Sequence, residues 1–204
     1  MKTIKVIAIT IFCVVFFPFF LAETQSANGP AADGWDLALL DTARAVDYLT
    51  EEEKNVILEM NKVRSNPRRY AEMYLDSRNH AATISALSQL SSLPPLMPSR
   101  GMSLAARDHT LDTGSRGLRG HTGSDGSSLS QRLNRYGRWG VAAGETISYG
   151  QNTARGIVIQ LLNSPGHRNI IMNGRHRFTG VSIGTHTSYR HMCTIKYAAQ
   201  YTEQ

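Results

Sequence analysis

The sequence is short of cysteine: its 204 residues include only Cys13 and Cys193. Cys13 sits in an apolar run near the N-terminus that reads as a removable segment, which leaves Cys193 as a lone thiol. An intrachain disulfide is therefore excluded for the processed chain, and packing must hold the fold. A strong charge of one sign is missing too. Lys and Arg number 22 against 16 Asp and Glu; loss of Lys2 and Lys5 with the leading segment leaves 20 against 16, a net of +4. So mild an excess reads as ordinary solubility and gives no basis for nucleic acid as a partner. For an exported chain, envelope polymers and lipid head groups are the anionic surfaces it would meet. Long apolar runs are absent outside residues 6–22, and no segment repeats.

The leading segment has the order of a secretory signal. Met1-Lys2-Thr3-Ile4-Lys5 is basic, Val6 to Ala22 is uncharged and rich in Phe, Val and Ile, and Glu23 to Pro30 is polar and small. Cleavage after Thr24, Ser26 or Ala27 is compatible with it, although none gives an Ala-x-Ala pattern. A retained membrane anchor is the competing reading, but residues 6–22 sit at the short end of the roughly 17–25 needed to span, and Pro18 interrupts them. No Cys near the end of the run supports a lipoprotein anchor. We therefore expect a signal peptide over 1–27, an arm over 28–50, a domain over 51–204, and a secreted, periplasmic or envelope protein that acts as a monomer. Trp35, Leu37, Leu39 and Leu40 are too apolar for a free tail and are expected to lie on the domain surface.

Thr50 and Glu53 form a capping-box pattern ahead of Val56, Ile57, Met60 and Val63, which predicts a helix over 51–64. Ser65-Asn66-Pro67 breaks it and starts a second helix over 67–76. Residues 81–90 read as a weak helix and 93–98 as extended, since each residue before Pro avoids the helical region. Ser99 caps a helix over 100–114. A turn at Ser124-Asp125-Gly126 precedes a helix over 127–136, with Leu129 and Leu133 inward and Arg132 and Arg135 outward. A strand over 144–150, a helix over 153–163 stopped by Ser164-Pro165-Gly166, and strands over 178–184 and 191–198 complete the chain. Helices first and strands last give an α+β class with a small antiparallel sheet.

Three segments place a His or Glu beside glycine at the edge of a regular element: Gly120-His121-Thr122-Gly123, Gly144-Glu145-Thr146 and Ser164-Pro165-Gly166-His167-Arg168. Glycine permits close approach, which fits a cleft better than a core. In this order, together with Asn61-Lys62-Val63-Arg64-Ser65-Asn66-Pro67 and Leu104-Ala105-Ala106-Arg107-Asp108-His109, the segments resemble the CAP superfamily of SCP-like extracellular domains in its bacterial form. The resemblance spans about residues 55–200. It implies a three-layer α-β-α sandwich with a small, mainly antiparallel central sheet. It also implies a cleft holding His121, Glu145 and His167. Thr146 replaces the family's usual Asn, Leu161 and Leu162 stand where many members carry Trp, and no second acidic cleft residue is identified.

Two imidazoles and one carboxylate make a ligand set for Zn²⁺ or another divalent ion with an open water position. Such a site would support metal-assisted hydrolysis, with Glu145 as base or third ligand. The competing reading has Glu145 accept hydrogen bonds from the imidazoles and pin helix to strand. Relatives are described as ligand-binding modules, several for sterols or lipids. The resemblance therefore favours binding of an unidentified lipid, polymer or small molecule over catalysis, with a structural envelope role as a third reading. Cys193 is expected to pack in the core, Ser164 to terminate a helix, and His109 to pack or cap. His176, His186 and His191 are expected at the surface, and Arg132, Arg135 and Arg138 on a solvated face.

Overall fold

A computed structural model describes residues 33–204. The predicted signal segment lies outside the described residues. From residue 33 the chain enters the domain at once. The short helix α1 (Leu37–Leu40) starts at Asp36, whose carboxylate accepts the Leu39 N–H. Trp35 and Leu40 are buried in the main core rather than laid on the surface, and Trp35 Nε1 donates to Tyr74 Oη at 2.9 Å. Leu39 alone of the expected surface group is largely exposed. A large indole gains more from full burial than from a surface seat.

Helix α2 (Glu51–Ser65) carries the expected capping box: the Thr50 hydroxyl accepts the Glu53 N–H and Glu53 Oε2 accepts the Thr50 N–H. Helix α3 (Pro67–Tyr74) opens on Pro67 with Asn66 as its cap. Helix α4 (Ser77–Ser88) begins four residues earlier than its sequence pattern indicates, because Asp76 caps the Arg78 N–H. Strand β1 (Met97–Pro98) is followed by α5 (Arg100–Ser115), capped by Ser99, and α6 (Leu129–Asn134), capped by Ser128. Strand β2 (Gly137–Tyr149) is much longer than the predicted 144–150, with a register irregularity between Gly140 and Ala143. Helix α7 (Ala154–Leu162) leads into α8 (Pro165–Ile171), an element the sequence reading missed. Pro165 ends the α7 pattern in sequence, but at the first helical position proline starts a helix. Strands β3 (Phe178–His186) and β4 (Arg190–Glu203) close the domain.

The sheet order is β1-β3-β4-β2, parallel only between β1 and β3. Helix α5 covers one face, and α2 and α7 cover the other, giving the expected three-layer α-β-α sandwich. Alternation along β4 assigns the faces. Cys193, Ile195 and Tyr197 join Val56, Met60, Leu161 and Leu162 in the main core. Ala198 joins Met102, Ala105 and Leu133 in a smaller core under α5. Cys193 is fully buried and its thiol pKa is pushed far up by that burial, in keeping with a packing role. At Gly180 the backbone of α5 lies directly against the sheet, and a Cβ there would meet Met102 and Ser103 backbone atoms. Among the described residues no helix is long and apolar enough to cross a membrane.

The opening motif of α2 is scaffolding. Asn61 donates to the Leu40 carbonyl and accepts the Leu96 N–H at 2.7 Å. Arg64, fully buried, donates to the carbonyls of Pro94, Ile171, Asn173 and His176 at 2.7–3.2 Å. One guanidinium thereby fixes the end of α8 and the approach to β3. Replacing it by Met strands these carbonyls in a dry interior. Arg64→Met is expected to lower the unfolding free energy by about 3 kcal/mol or more, read from urea denaturation, since hydrogen bonds to a charged donor contribute roughly 1.5–3 kcal/mol each.

Candidate functional site

The site centres on the edge strand β2. Glu145 on β2 lies directly opposite Lys196 on β4, so both side chains share one face of the sheet. That face is covered by α5 and α6, and the Glu145 and Lys196 side chains are almost wholly enclosed. Lys196 Nζ bonds Glu145 Oε2, and Arg132 Nη2 from α6 reaches the same oxygen at 3.2 Å. Glu145 Oε1 meets His121 Nδ1 at 2.7 Å. Burial raises the Glu145 pKa, but the His121 hydrogen bond and the Lys196 charge outweigh it and hold the carboxylate at about 2. Burial pulls Lys196 down to about 8, against the upward pull of Glu145, so the ammonium remains charged at neutral pH.

Arg132 corrects the sequence reading. It was placed on a solvated face, yet its side chain is 1% exposed, bonding Ser127 and His121 carbonyls as well as Glu145. The buried carboxylate, 13 positions away in sequence, is what draws a charged side chain inward from the helix. Lys196 lies within the expected strand over 191–198, where alternation makes it a polar residue between Ile195 and Tyr197. Nothing local to either residue identified it as a counter-ion; a Lys on a strand covered on both faces is the one signal that points there. His176 and His186 also belong inside rather than at the surface. His176 Nδ1 donates to the Ile170 carbonyl, and His186 Nε2 donates to the Leu118 carbonyl at 3.1 Å. His191 is half-buried. His109, as expected, is packed: its Nε2 donates to the Gly120 carbonyl at 2.9 Å.

Gly120 adopts a φ of +101°, a conformation that favours glycine, and its N–H donates to Tyr149 Oη at 3.1 Å. This kink hands the next residue, His121, to Glu145. With the carboxylate ionised, Nδ1 donates to it, which leaves Nε2 as the outward nitrogen of the ring. The His121 side chain is 56% exposed, so that nitrogen is open to solvent. His167 projects from α8. Its pKa is lowered, first by burial and then by the His121 charge, which keeps it a neutral imidazole at neutral pH. His121 and His167 line one cleft of about 650 Å³, with Arg119, Ile147, Tyr149 and Tyr189 among its other walls. Ser164, at the junction of α7 and α8, lines it too and makes no side-chain cap bond. Thr146 points to the opposite face and bonds Tyr197 Oη at 3.1 Å.

The structure thus joins His121 to Glu145 and sets His167 in the same cleft. It does not assemble the three as a metal cage. Both Glu145 oxygens are taken by His121, Lys196 and Arg132, and the described residues include no group of three His, Cys, Asp or Glu side chains arranged for a metal ion. The donor set therefore does not fit the divalent ion that the resemblance implies. A second cavity, of about 240 Å³, lies between the start of α2, α5 and the edge of β3, and contains none of the predicted site residues.

The charge cluster fixes an acid limit. Glu145 has its ordinary value of 4.5 when unfolded and about 2 when folded, so its contribution is present above pH 4.5 and is lost as pH falls towards 2. Stability should drop by about 3 kcal/mol across that window, at 1.36 kcal/mol per pKa unit, with a shallower slope in Glu145→Gln. Lys196→Met is expected to cost about 3–5 kcal/mol at neutral pH by leaving the buried charge undercompensated, as read by chemical denaturation.

Among curated proteins none matches the chain. Several solved structures are similar, three of them as follows. An outer surface protein of Borrelia burgdorferi matches at 17% identity and a TM-score of 0.47, over 61% of this chain and 95% of that one. An extracellular protein containing an SCP domain from Bacillus anthracis matches at 23% identity and a TM-score of 0.42, over 53% of this chain and 35% of that one. A cysteine-rich secretory protein from Staphylococcus aureus matches at 13% identity and a TM-score of 0.41, over 63% and 40%. The chain thus spans well under half of the latter two. The family model of the cysteine-rich secretory proteins, CAP, matches residues 57–197. That match covers more than half of the sequence and runs from within α2 to within β4, so the chain belongs to the CAP family.

Proposed function

We propose that the protein is exported and acts as a binding module, taking a polar ligand that carries negative charge or hydrogen-bond acceptors in the cleft walled by His121 and His167. The observation that supports this reading best is the state of Glu145. Its charge is consumed below the cleft by Arg132 and Lys196. The basic groups that line the opening are Arg119, His121 and His167, and no carboxylate is among the described lining residues. A site so arranged attracts acceptors and anions more readily than cations. Glu145 serves as the support that orients His121, in the way a buried carboxylate commonly fixes an imidazole tautomer. Export rests on the order of residues 1–27 and on the family's secretory character.

Two measurements test this. Mass spectrometry of small molecules released from the purified protein is expected to find a species retained by the wild type and lost from His121→Ala with His167→Ala. Equal recovery from both proteins rejects the cleft as the binding site. Calorimetry with Zn²⁺ is expected to show no saturable binding that depends on these two residues. A stoichiometric isotherm abolished by the double substitution would overturn the assignment of Glu145 as support alone.

A further inference from the structure

The outer edge of β2 contributes Ile147 and Tyr149 to the cleft, and at Tyr149 that edge is closed. The Gly150 N–H bonds the His191 carbonyl at 2.8 Å across the β2–β4 ladder. In an antiparallel pair the next residue, Tyr149, must then turn its N–H and C=O outward. Gln160 of α7 takes both: its Oε1 accepts the Tyr149 N–H at 3.3 Å and its Nε2 donates to the Tyr149 carbonyl at 3.0 Å. A side-chain amide thus ends the edge as a neighbouring strand would. Two residues back, Ile147 faces the same way. Its N–H and C=O have no partner beyond β2 among the described residues, and it lines the cleft beside His121 and His167.

We propose, resting on the binding reading above, that the ligand is the C-terminal end of an extended peptide, which adds to β2 as a short fifth strand at Ile147 and sets its carboxylate on Arg119. An outward N–H and C=O on one strand residue is the pattern a peptide backbone matches in strand addition. Because Gln160 occupies the Tyr149 position, an added strand cannot continue past it and must terminate there. Arg119 stands at that end. Its guanidinium lies 5.4 Å from the Tyr149 ring centroid and 5.2 Å from that of Tyr189, with no acidic partner among the described ion pairs. A guanidinium held over aromatic rings, with free donors, fits a terminal carboxylate. Ending at Tyr149 makes the peptide parallel to β2. Its last N–H then donates to the Ile147 carbonyl, and the Ile147 N–H donates to the peptide carbonyl two residues earlier.

The test uses the full chain, ¹⁵N-labelled, titrated with a mixed pool of N-acetylated tripeptides in two forms, free acid and C-terminal amide. The free acid is expected to shift the Ile147 amide resonance and to bind about tenfold more tightly than the amide, the scale of one charge-assisted hydrogen bond. Arg119→Gln, an exposed substitution with little bearing on folding, is expected to bring the two forms within about twofold of each other. Ile147→Pro removes the outward N–H of this buried edge-strand residue, and is expected to abolish binding of the free acid. If that variant fails to fold, the Arg119→Gln comparison decides alone. Equal binding of acid and amide, or no shift at Ile147 with either, overturns the peptide assignment. If a uronic acid oligosaccharide shifts the His121 and His167 resonances where the peptides do not, the peptide is rejected while the cleft stands. Loss of the retained species in the double His variant would separately support the cleft, whatever the peptide result.

Discussion

An ionised carboxylate buried in a protein is tolerable only when it is paired and hydrogen-bonded, and Glu145 imposes that condition on everything around it. Its partners come from three places: Lys196 from the neighbouring strand, Arg132 from the helix that covers that face, and His121 from the loop between α5 and α6. Sheet, helix and loop are therefore joined at one charge. Arg132 extends the linkage by holding the His121 and Ser127 carbonyls as well, so the loop is tied through both its backbone and its imidazole. The exposed face of His121 is the outermost point of a network whose anchoring contacts lie inside the fold.

The other wall of the cleft depends on a different buried cation. Arg64 holds the carbonyls that follow α8, and α8 carries His167. Neither Arg64 nor Asn61 faces the cleft, yet their segment is among those by which the family is recognised. Their role is to fix distances between layers: Asn61 ties α1 and β1 to α2, and Arg64 ties α2 to the start of β3. The cleft can then lie at the margin of the sheet, across the edge strand, with each imidazole supplied by a separate segment.

Much of the fold was legible because it rests on local signals. Thr50 with Glu53, Asn66 with Pro67, and Ser99 mark helix starts through bonds made within three residues, and the alternation of Cys193, Ile195 and Tyr197 assigns the face of β4 from sequence alone. His121, Glu145 and His167 were found through short glycine-linked segments that resemble a family pattern. The rest was hidden because it is tertiary. A helical wheel sends Arg132 outward, and only the distant Glu145 brings it in. His176 and His186 are polar residues near strand ends, and their burial follows from carbonyls at Ile170 and Leu118 that local sequence does not connect to them. Proline at position 165 reads equally as an end or a beginning, and the packing of α8 on α7 and β2 decides for the beginning.

The placement of β4 bears on how the domain comes into being. It is hydrogen-bonded on both sides, to β3 and to β2, although it follows every other element in the chain. Until it emerges, β2 and β3 have no common neighbour, Glu145 lacks its ammonium partner, and the main core lacks Cys193, Ile195 and Tyr197. A chain still being synthesised thus lacks the strand that joins β3 to β2 and completes the sheet. Completion of the domain is deferred until nearly all of it is available, which concentrates assembly into one late, cooperative step.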